Sequence, residues 1–110
     1  MVNFKTFREP FPLVGYGKVV IGSGSSDESE YQILNFANII LHGILNKRSY
    51  EFAIHNLEYE LCKLGIEVDK RMFFSLRHSE DQDEKIFTLN SLMADILLKR
   101  PEMQRFINGR

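Results

Sequence analysis

Several groupings of residues in this chain have types and spacings that can do chemistry. Gly22-Ser23-Gly24 stands between a β-like stretch and a helix start, the setting of a phosphate-binding turn. The third glycine of a dinucleotide fingerprint and the Gly-Lys-Ser/Thr of a P-loop are both missing. Asp27, Glu28 and Glu30 would also repel a phosphate, so the stretch reads as a connector. His78 with Glu80, Asp81, Asp83 and Glu84 offers imidazole and carboxylate ligands, but not at the spacing of a calcium loop. A capped helix start explains the same residues, and no metal site is assigned. Cys62 and His55 pair a thiol with a base, seven residues apart. On a helix that is about 10 Å along the axis, too far for a nucleophile–base hydrogen bond. No catalytic residue and no cofactor is assigned.

Two further groupings suit binding. Asn35, Asn38, His42 and Asn46 follow one another at spacings of three, four and four. That places an uncharged polar face opposite the apolar side of a helix, able to hold a ligand or a partner's backbone. Lys70, Arg71 and Arg77 flank Met72-Phe73-Phe74, an interleaving of cations and aromatics that can serve nucleic acid. Three charges are few for phosphate contacts, and a core segment carries the same aromatics equally well.

The elements that must position these groups follow from composition and pattern. The chain has 110 residues, suited to one domain spanning 1–110, with nine Phe, four Tyr and no Trp. A single cysteine excludes an internal disulfide, the residues before Pro12 lack the apolar core of a signal peptide, and no apolar run reaches about 20 residues. The expectation is a soluble, cytoplasmic protein without a membrane segment. Net charge is −1, yet twelve acids against six bases make residues 27–84 acidic, while both ends are mildly basic.

Residues 1–24 read as β-like, with 2–7 and 16–21 paired as a hairpin around the turn that Pro10 and Pro12 enforce. Residues 25–110 read as mainly helical. Ser25 and Glu28 form a capping box ahead of Ile33, Phe36, Ala37, Ile40, Leu41 and Ile44, one face of a first helix. Ser49 caps a second, lined by Tyr50, Ala53, Ile54, Leu57, Leu61 and Leu64 and ended by Gly65. Residues 66–78 fit either period, and the β-branched residues after Gly65 tip the reading towards strand. Ser79 with Gln82 caps a long last helix bearing Ile86, Leu89, Met93, Ile96 and Leu97, which Pro101 stops. The expected fold class is α+β, predominantly α: a short amino-terminal β-hairpin packed on an antiparallel helix pair and a long carboxyl-terminal helix.

Without a nucleophile, base and orienting group at interpretable spacing, the chain reads as a binding protein rather than an enzyme. The leading expectation is a small inhibitor or immunity-type protein that covers a basic site on a partner protein. Its acidic surface would comprise Glu51, Glu58, Glu60, Glu67, Glu80, Asp81, Asp83 and Glu84. The alternatives are a nucleic-acid-binding or regulatory protein acting through Lys70, Arg71 and Arg77, and a homo-oligomer assembled through Met103, Phe106 and Ile107.

Overall fold

The computed structural model describes residues 12–13 and 26–107. Helix α1 spans Ser26–Asn46, α2 Glu51–Leu64, α3 Arg71–His78 and α4 Gln82–Lys99, and a 3-10 helix covers Pro101–Phe106. The α+β expectation is corrected to a mostly α fold. Among the described residues there is no strand, and the only β-type pairing is an isolated antiparallel bridge between Leu13 and Ile107. The hairpin expected at 2–7 and 16–21, the connector at Gly22–Gly24 and the Ser25 cap lie outside the described residues.

Helix α1 lies between α2 and α4 and also meets the 3-10 helix, while α3 packs on α4. Its apolar residues recur at the helical period, and Ile33, Leu34, Ala37 and Ile40 are fully enclosed. They meet Ala53, Ile54 and Leu57 of α2 and Ile86, Leu89, Leu92, Met93, Ile96 and Leu97 of α4 in one continuous core. The small side of α1 lets the chain turn tightly: a Cβ on Gly43 would come 2.7 Å from Tyr50 Cδ1.

The helix ends follow local chemistry. Gly65 terminates α2 as expected, with φ 70°. Its amide bonds to Cys62 O and the Ile66 amide to Leu61 O, the paired bonds of a Schellman ending. Lys47 takes the same left-handed conformation after α1, with φ 56°, and the Arg48 amide bonds back to Gly43 O. Two expected caps are displaced. Tyr50 rather than Ser49 precedes α2, without a side-chain cap, and its hydroxyl donates instead to Leu76 O. Asp81 rather than Ser79 caps α4, accepting from the Asp83 amide.

The strand expected within 66–78 is corrected to helix α3. Asp69 supplies the start: its carboxylate accepts from the Arg71 amide, and its carbonyl accepts from the Met72 amide. Phe73 and Leu76 then face the core three residues apart, a spacing that a strand would send to opposite sides.

The carboxyl-terminal segment is closed by charge as well as by apolar burial. Glu30 is buried on α1, with Arg100 Nε 2.5 Å from Oε2 and Arg105 Nη2 2.8 Å from Oε1. Only the Arg100 contact is aligned as a hydrogen bond; Arg105 acts on Oε1 by charge and is itself hydrogen-bonded to Asp27. Tyr31 and Phe106 stack edge to face beside this clamp. Met103, Phe106 and Ile107, considered above as an assembly surface, are therefore buried inside the chain's own core. Replacing a buried paired carboxylate strands its partners, so Glu30→Gln should destabilise the protein by about 3 kcal/mol. Urea denaturation should show that loss, against about 0.5 kcal/mol for Asp27→Asn, whose pair is half in water.

Candidate protein-docking site

The connection into α4 sets a group of acids rigidly at one end of that helix. Ser79 Oγ accepts from the Asp81 amide and hydrogen-bonds Glu84, while Asp81 Oδ1 accepts from the Asp83 amide at 3.0 Å. Gln82 Nε2 donates to Ile44 O at 3.0 Å, fastening the start of α4 to the end of α1. Glu80, Asp81, Asp83 and Glu84 are all exposed at this positively polarised helix end.

Beyond the acids, α4 presents a second apolar face. At about 100° per residue, Asp83, Phe87, Ala94 and Leu98 fall within one sector of about 60°, which flanks the sector of the buried Ile86, Leu89, Met93, Ile96 and Leu97. Phe87 is 56% exposed and Leu98 80% exposed, and Ala94 is exposed between them. Leu98, open to that degree and on the same sector as an exposed Phe, makes this side of α4 the candidate binding surface. These two residues were not singled out from the sequence. The signal was available: they fall off the α4 core stripe, and a helix that is apolar on two sides has one side without an internal partner.

The remaining acids of the expected surface are divided among other contacts. Glu51 and Glu58 both hold Arg77, each at 2.8 Å, which ties α3 to α2. The hydrogen bonds that Arg77 donates, to Glu58 first and then to Glu51, raise its pKa above the ordinary value. Glu60 is largely buried beside Lys63, 3.6 Å away. Glu67 is exposed, with its carbonyl taken by Lys99. The acids of the expected surface that are exposed together at one helix end are thus those at the start of α4.

The basic grouping is taken apart. Arg71 forks onto Asp69, with contacts of 3.1, 3.1 and 2.8 Å, and that hydrogen bonding holds the Asp69 carboxyl below its ordinary range. Arg77 faces the α2 glutamates instead, and Lys70 is left exposed alone at the start of α3. On the polar stripe, Asn35 accepts a place beside Gln32, donating to its Oε1 at 3.2 Å, and Asn46 donates back to His42 O at 2.9 Å. Asn38 and His42 line an open depression with Ile39, Gly43, Arg48 and Ser49.

Three other large side chains stand in solvent: Phe52 and Tyr59 on α2 and Phe74 on α3. Phe52 packs edge to face on Phe36, and Phe74 lies 4.4 Å from the His78 ring. Cys62 is exposed on α2. Among the described residues, no three His, Cys, Asp or Glu side chains converge as metal ligands, and no helix is long and apolar enough to cross a membrane. No protein-family model, curated protein or solved structure matches the chain.

The two arginines of α3 differ in what they hold together. Arg77→Ala should lower stability by about 1 kcal/mol, because it unties α3 from α2 and removes the packing of a half-buried stem. Arg71→Ala, which breaks only a local exposed fork, should leave the urea midpoint unchanged.

Proposed function

We propose that this chain is a non-enzymatic protein-binding protein of the small inhibitor or immunity type, acting in the cytoplasm through the outer face of α4. The observation that carries the reading is the continuity of Phe87, Ala94 and Leu98 with the exposed acids Glu80, Asp81, Asp83 and Glu84. Apolar contact area supplies affinity, and a one-signed charge beside it supplies encounter rate and orientation. The matching partner carries an apolar depression edged by Lys and Arg. The neutralisation of Arg71 by Asp69 and of Arg77 by Glu51 and Glu58 favours this reading over nucleic-acid binding.

The test compares capture of proteins from the native lysate by the tagged wild type and by two surface variants, with and without nuclease. Leu98→Glu removes the apolar anchor, and the double change Glu80→Lys with Asp83→Lys reverses charge while leaving the Asp81 cap in place. The side chains are exposed, so Leu98→Glu should change stability by no more than about 0.5 kcal/mol, and the double lysine variant, which opposes the helix dipole, by about 1–2 kcal/mol, leaving both folded. The expected result is one stoichiometric protein partner, weakened by salt and lost in both variants. A partner that both variants retain at full strength would refute the α4 surface, and capture abolished by nuclease would refute protein binding altogether.

A further inference from the structure

The polar stripe on α1 is not used by the α4 surface, and the structure extends it into a cationic groove. Two depressions flank the connection between α1 and α2 and share Gly43 and Arg48 as common walls. On one side stand Asn38, His42 and Ser49; on the other stand Lys47, Tyr50, Gln82 and Lys85, with Glu80 at the rim. Lys47 and Arg48 are fixed by the end of α1, where Lys47 adopts φ 56° and the Arg48 amide is bound to Gly43 O. Lys85 reaches in from α4 and lies 5.5 Å from the centre of the Tyr50 ring. None of these three cations forms an ion pair with a carboxylate among the described residues, whereas Arg71, Arg77, Arg100 and Arg105 all do.

We infer that this groove binds a phosphate monoester. Three cations less Glu80 leave a local charge of two positive units, which matches the dianion that a monoester carries near neutral pH. A carboxylate or a phosphodiester, with one negative charge, would match it less well. Arg48 supplies the planar donor fork suited to phosphate oxygens, Lys47 and Lys85 supply point charges, and His42 and Ser49 add further hydrogen-bonding groups on the Asn38 side. The depressions measure ≈ 290 and ≈ 340 Å³. That is the lower end of the ~300–1,000 Å³ of small-ligand sites, so the esterified group is compact. Gly43 suits the shared wall, since a Cβ there would come 2.7 Å from Tyr50 Cδ1 and 3.2 Å from Arg48 O and force that wall to shift. The inference stands on α1, the following connection and Lys85, and it shares only Glu80 with the α4 docking face.

The experiment is an amide chemical-shift titration of the full chain with glycerol phosphate and, separately, with a short phosphoserine peptide. Sodium sulfate and sodium chloride at matched ionic strength are the controls. Saturable shifts at Gly43, Arg48, Ser49 and Lys85 with a phosphate monoester are expected, and the tighter of the two ligands identifies a small-molecule or a protein-borne source. Arg48→Gln should weaken binding about tenfold and Lys85→Gln severalfold, as befits charge-assisted contacts in a partly open site. Shifts that match those of sulfate or chloride, meaning an adventitious ion only, would overturn the proposal. So would an Arg48→Gln protein that binds with unchanged affinity.

Discussion

The burial of α1 on several sides is the constraint from which the rest of the structure follows. Because α2, α4 and the 3-10 helix all pack on it, its apolar sector is wide, and Ile33, Leu34, Ala37 and Ile40 have no contact with water. A helix so enclosed has little circumference left for polar groups. Asn35, Asn38, His42 and Asn46 occupy that remaining edge, which is why it is uncharged and narrow rather than a broad solvated face. At the amino-terminal end the same enclosure takes in Glu30. A carboxylate withdrawn from water requires compensation, and Arg100 and Arg105 provide it from the far end of the chain. The apolar packing of α1 and the charge clamp that seals the carboxyl-terminal segment are thus one problem with one solution.

Helix α4 has the opposite character. It commits one side to the core and leaves the other with Phe87, Ala94 and Leu98 in solvent. Scattered exposed apolar residues are ordinary in proteins, but these lie in register on a single helix and adjoin a fixed group of acids. The cap network of Ser79, Asp81 and Glu84 and the tether from Gln82 to Ile44 hold that group still. A surface whose charges are already positioned loses less conformational freedom on meeting a partner, which is the physical advantage of building such a site on a capped helix end.

The three long helices were legible in the sequence because burial imposes a period of 3.6 residues, and α1, α2 and α4 are long enough to display it. Helix α3 was not, because eight residues give only two buried apolar positions and the β-branched Ile66 and Val68 precede them. The decisive residue was Asp69, whose carboxylate starts the helix in the manner of an N-cap. The displaced caps share another cause. Ser49 and Ser79 satisfy the local pattern, but Tyr50 is drawn towards Leu76 and Asp81 stands closer to the first free amides of α4. The acids were legible only as a list. Which of them are spent depends on Arg77, and its contacts with Glu51 and Glu58 span 26 and 19 residues of chain, a separation that no local pattern reports. Met103, Phe106 and Ile107 resemble an assembly edge in isolation, and only the return of the chain onto α1 shows where they go.

Cys62 gives the molecule a property of a different kind. It is the chain's sole cysteine, it is exposed on α2, and it lines neither of the two depressions beside Gly43. A thiol-reactive fluorophore or spin label therefore attaches at one defined point of the native sequence, without mutagenesis. Because the chain has no Trp, such a probe also reports without indole emission in the background, leaving only the four Tyr. The fold thus carries its own attachment point for measuring distances to whatever it binds.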